Sequence, residues 1–132
     1  MYSKTNFVAE HIAYMERRSE VRYKADKPVD ILFMPQNLLK RGRLVDQSAT
    51  GAKITFDMID TPPQFVWFIG VMDHTVKYAK VAWCLNNAMG LKIEFVKKID
   101  LEAPLDLHVP IEVYEAYLSL LPRIEGDNQY LD

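Results

Sequence analysis

Short stretches in which apolar and polar residues alternate, with turn-forming residues between them, constrain this chain more than any other feature. Ala52, Ile54 and Phe56 alternate with Lys53, Thr55 and Asp57, and Leu91, Ile93 and Phe95 alternate with Lys92 and Glu94. A period of two sends successive side chains to opposite faces of a strand, so each stretch reads as a half-buried β-strand. Val29, Ile31 and Phe33 repeat the pattern up to Pro35. Residues 38–46 and 75–85 read as two further strands, and the apolar, aromatic run 64–71 reads as a buried one. Thr61-Pro62-Pro63 breaks the chain, and Asn86-Asn87 marks a turn. Six short strands separated in this way predict a mainly β protein, a small antiparallel barrel over residues 27–97 that is closed or nearly closed.

Helical spacing appears only at the two ends. Val8, His11, Ile12 and Met15 predict a short amphipathic helix over residues 6–17. It leads into a polar turn over 17–24, so residues 1–24 form an N-terminal arm that is mobile without ligand. Pro110 opens a second helix, with Ile111, Tyr114, Tyr117, Leu118 and Leu121 in one stripe and Pro122 as its stop. A helix over 110–121 has the length to cover an open end or a side of the barrel. Residues 125–132 are a polar tail. With 132 residues, no repeat and no long linker, the chain is expected to fold as one domain.

The charge balance narrows the function. A formal net charge of -2 leaves no continuous basic stripe for a long polyanion, but it permits a small anion held by a few local arginines. The single cysteine, Cys84, allows no intramolecular disulfide and fits a reducing compartment. The first residues lack a long apolar segment, and the longest apolar run, 65–72, is too short for a bilayer. A cytoplasmic protein is expected.

Two polar clusters carry the chemistry. The first is Arg18-Ser-Glu-Val-Arg22, with Arg17 before it; the second is Asp46-Gln-Ser48-Ala-Thr-Gly51. Arginine presents a flat, permanently charged fork that grips phosphate or the O6/N7 edge of guanine with two bonds, or stacks on a base. Asp46 can accept from the N1–H and N2–H donors on the opposite edge of guanine. Ser48 can donate or accept, and Gly51 permits a tight turn or a close approach. The combination suits a small ligand bearing both phosphate and purine.

Arg18-x-x-x-Arg22 followed by Asp46-x-Ser48-x-x-Gly51 resembles the double motif of PilZ domains, bacterial receptors for cyclic di-GMP. Val81-Ala-Trp83 and Met89-Gly90-Leu-Lys-Ile-Glu-Phe95 resemble the last two strands of that family's split barrel, and the resemblance spans residues 17–96. Many members have a second glycine where this chain has Ala52. The resemblance implies a binding module, with Arg17, Arg18, Arg22, Asp46, Ser48 and Gly51 as the cyclic di-GMP site. It implies a ligand-ordered arm read by a protein effector that controls motility, attachment or exopolysaccharide production, and it allows a stacked ligand dimer on an arginine such as Arg17.

Two rivals are an adaptor of the same family that binds protein and no nucleotide, and an oligonucleotide-binding barrel with aromatic platforms. Trp67 and Trp83 read as core or rim residues, and Arg43 and Lys40 stay unassigned to a face. His11, His74 and His108 lack ligand spacing, so no metal and no cofactor are expected. No nucleophile elbow, Cys–His pairing or paired acid–base carboxylates point to an enzyme.

Overall fold

The computed structural model describes the backbone from residue 22 to 130 and the side chains from 22 to 121. Arg17, Arg18 and the helix expected over 6–17 lie outside the described residues. Six strands are followed by one helix: β1 (Tyr23–Met34), β2 (Leu38–Gln47), β3 (Gly51–Thr55), β4 (Phe65–Gly70), β5 (Thr75–Leu85), β6 (Ala88–Lys98) and α1 (Ile111–Tyr130). Every pairing is antiparallel, and the order β1-β2-β3-β6-β5-β4 closes into a ring because β1 also pairs with β4. The tight turns use residues that tolerate positive φ. Asn86 (φ 54°) and Asn87 (φ 61°) join β5 to β6, and Asn37 (φ 58°) lies between β1 and β2.

The alternation seen in the sequence becomes two apolar layers. Ile31, Phe33, Leu44, Ile54, Phe56, Val66, Ala79, Met89 and Leu91 fill the inside of the ring. Leu32, Trp67, Ile69 and Val76 point outward and are roofed by Val113, Tyr114, Tyr117 and Leu120 of α1. Strand β4 is therefore covered on both faces, which is why its sequence is an unbroken apolar run. Trp67 is buried as expected, although its indole N–H has no hydrogen-bond partner among the described residues.

Three expectations need correction. Strand β1 begins at Tyr23, so residues 23 and 24 belong to the sheet and not to the arm. This stretch is mostly polar, so no hydrophobic period marks it, yet Tyr23 pairs with Gln47 and Lys24 with Asp46. The helix does not stop before Pro122. Its backbone continues to Tyr130, although Pro122 has no N–H to give to the ladder. The buried stripe is also rotated: Val113, Ala116 and Leu120 join Tyr114 and Tyr117, whereas Ile111 and Leu118 are exposed. Leu120→Ala should therefore cost about 2–5 kcal/mol by urea unfolding, and Leu118→Ala should stay within about 0.5 kcal/mol.

The connection into α1 is pinned at Asp106. Its carboxylate accepts from the His108 backbone N–H at 2.8 Å and faces Lys97 Nζ at 3.4 Å. The His108 N–H, with Lys97 assisting, holds the Asp106 carboxyl below the usual carboxylate range. Among the described residues, no helix is long and apolar enough to cross a membrane.

Candidate functional site

Of the first sequence cluster only Arg22 is described, and it meets the second cluster at one edge of the β1–β2 pair. Arg22 stands immediately before β1, and its Nη1 lies 3.8 Å from Asp46 Oδ2 near the end of β2. That is an ion pair and too long for a good hydrogen bond. The Asp46 side chain is 27% exposed and that of Arg22 is 58% exposed, so both can turn to a ligand.

Asp46 reaches this face because of a β-bulge. Leu44 faces the inside of the ring and pairs with Ile54, whereas Asp46 pairs with Lys53. The extra residue, Val45, breaks the alternation that would otherwise send Asp46 inward. A second bulge does the same for Trp83. Val81 packs against the interior cluster and pairs with Leu91, but Trp83 pairs with Gly90. Simple alternation from Val81 makes Trp83 a core residue; the bulge at Ala82 turns it outward, and it is 45% exposed. Of the two places expected for Trp83, core or rim, the exposure rules out the core.

The registers then align a row across five strands. Lys24 pairs with Asp46, Asp46 with Lys53, Lys53 with Gly90, and Gly90 with Trp83. Directly paired residues share a face, so Lys24, Asp46, Lys53 and Trp83 all point outward. Lys53 Nζ sits 5.9 Å from the Trp83 ring centroid. The indole lies against Gly90, where a Cβ would stand only 2.0 Å from Trp83 Nε1. Sequence reasoning set Trp83 aside as a core or rim residue; the signal for its outward, seated position is a glycine in the facing strand, which gives an aromatic ring a flat seat. From Asp46 to Trp83 the row crosses three inter-strand gaps, about 14 Å. Gly90→Ala should push the indole off its seat without unfolding the ring, seen as a change in tryptophan emission with an unchanged far-ultraviolet spectrum.

The turn after Asp46 is closed from within. Ser48 N–H donates to the Gly51 carbonyl at 2.9 Å, and the Gly51 N–H donates to Ser48 Oγ at 3.2 Å. Ser48, and not Asp46, is the residue that caps this turn, which leaves the Asp46 carboxylate free of local backbone bonds. Gly51 has no positive φ. A Cβ there would meet Leu91 O and Ser48 Oγ at 3.4 Å, an ordinary contact. The fold therefore does not require glycine at this position. Gly51→Ala should leave stability within about 1 kcal/mol by urea unfolding, and a larger loss would contradict this geometry.

Arg43 lies on the outer face, where its Nη1 meets Asp26 Oδ1 at 2.6 Å. Lys40 donates to the Met58 carbonyl and takes no part in the row. Among the described residues no group of three His, Cys, Asp or Glu side chains could hold a metal ion. Arg22, Lys24 and Lys53 thus surround one carboxylate, beside an exposed indole. Such a surface can neutralise phosphate, satisfy donors on a base edge and stack an aromatic ring. Comparison with family models, curated proteins and solved structures returns no match to this chain.

Proposed function

We propose that this protein is a PilZ-like receptor for cyclic di-GMP, and that the outer-face row is where the ligand sits. The observation that carries the reading is the meeting of Arg22 with Asp46, two residues from separate sequence clusters. Asp46 accepts from the Watson–Crick edge of a guanine, and Arg22 takes a phosphate or the Hoogsteen edge of the base. Lys24 and Lys53 add positive charge for the second phosphate. Trp83, about 14 Å along the row, offers its face to a base. That spacing favours a dinucleotide over a single nucleotide.

Ligand binding replaces a loose arginine–carboxylate contact with bonds from both groups to the ligand. The guanidinium groups of Arg17 and Arg18 would join Arg22 there, because a dianion relieves the repulsion among closely spaced cations. The cost of gathering the lead-in is drawn from the gross contact energy. In this reading the gathered segment is the signal, read by a protein effector, and no chemical step is involved. Calorimetric titration with cyclic di-GMP, with GTP and cyclic GMP as controls, tests the proposal. Saturable binding of the cyclic dinucleotide alone supports it. Equal response to all three ligands removes it, and response to none removes it and favours the protein-binding adaptor.

A further inference from the structure

The open end of the ring carries a second feature that is separate from the outer-face row. A cleft of about 650 Å³ opens where β1 begins, β2 ends and β4 turns into β5. Its size falls in the range typical of small-molecule pockets. Its depth is apolar: Val29, Leu44, Phe68 and Ile93 line it, and all four belong to or pack against the interior layer.

Two cations without an ion-pair partner among the described residues border this hollow, Lys77 facing into it and Lys27 at its lip. Lys77 pairs with Phe68 on one side and Val96 on the other, so its side chain shares the inward face of Phe68. Among the described residues, the Lys77 side chain has neither an ion pair nor a hydrogen bond, and the same holds for the Lys27 side chain at the lip. Of the carboxylates on the rim, Asp30 is paired with Arg41, and Asp73, bonded only to a neutral hydroxyl, offsets one of the two free ammonium groups and leaves the mouth net cationic. Asp30 accepts from Arg41 at 3.1 and 3.2 Å, and Asp73 accepts from the Thr75 hydroxyl at 2.8 Å. An apolar hollow with an uncompensated ammonium at its mouth matches a molecule with an apolar body and an anionic head.

We propose that the mouth of the ring binds a straight-chain alkyl carboxylate, its chain against Val29, Phe68 and Ile93 and its carboxylate on Lys77. The proposal does not depend on what the outer face binds. The wall it shares with the turn at Ser48 and Gly51 makes the two sites neighbours.

The test is a titration of the full chain with dodecanoate, kept below its micelle concentration, followed by side-chain NMR shifts. Dodecanol serves as the uncharged analogue. Saturable shifts are expected at the Val29 and Ile93 methyls and the Phe68 ring, with dodecanoate binding about fivefold tighter than dodecanol. Lys77→Met keeps the apolar stem and should erase that preference while leaving dodecanol binding unchanged. Lys77→Gln gives the same comparison if methionine perturbs the ring. Shifts that avoid these three residues, or a carboxylate preference that survives in both variants, would overturn the proposal.

Discussion

Arg22→Ala is expected to weaken cyclic di-GMP binding by about 2–4 kcal/mol, roughly thirty- to several-hundred-fold, because a charged ligand group held against protein loses its partner. Under the proposed reading Asp46→Ala should cost a similar amount, since the guanine donors assigned to it would be left unpaired. The same substitutions should hardly change folding stability. The pair is open to solvent on the Arg22 side and 3.8 Å apart, and such loose surface contacts contribute about 0–1 kcal/mol. Arg22→Lys should recover little affinity, because a point charge cannot reproduce the two-pronged fork. A variant that loses affinity and stability together would instead assign Arg22 a structural role.

Phe33→Ala is expected to destabilise the fold by about 3–5 kcal/mol, read as a lower urea midpoint with an unchanged slope. Phe33 is 1% exposed and meets Phe56 edge-on, with ring centroids 5.2 Å apart. Truncation would leave a void in the centre of the ring, where strands from several directions hold the walls apart and limit collapse. A midpoint close to that of the parent would mean that the interior is looser than this packing implies.

The amount of this fold that could be read from sequence follows from which forces leave a periodic trace. Strands with one wet face show it plainly, through Ala52 and Ile54 in β3 and through Leu91 and Ile93 in β6, but the register shift against β5 after Ile93 turns Phe95, expected in the same row, to the outer layer beside Tyr78 and Trp67. The Asn86-Asn87 turn is legible because positive φ selects asparagine. The start of β1 is not legible, because residues 23–27 are held by backbone pairing with β2 and carry little apolar pattern. The phase of α1 is not legible either: Ile111 and Leu118 are as apolar as Val113 and Leu120, and only the sheet beneath decides which are covered.

The candidate site divides along the same line. The residue types at Arg22, Asp46, Ser48 and Gly51 stand out in sequence, but the faces they occupy depend on a bulge that inserts one residue. The bulge at Val45 brings Asp46 to the surface, and the bulge at Ala82 does the same for Trp83. A strand read by strict alternation places both inside the ring. The role proposed for Gly51 also changes. Its backbone is ordinary here, so any need for glycine would come from the ligand and not from the turn.

The most direct measurement is a map of amide and indole NMR shifts as cyclic di-GMP is added to the full chain. The account predicts saturating shifts along one line, from Arg22 and Lys24 through Asp46 and Lys53 to the Trp83 indole N–H, with residues under the helix such as Val76 and Val113 unmoved. Shifts confined to the helix side of the ring, or none at saturating ligand, would contradict it.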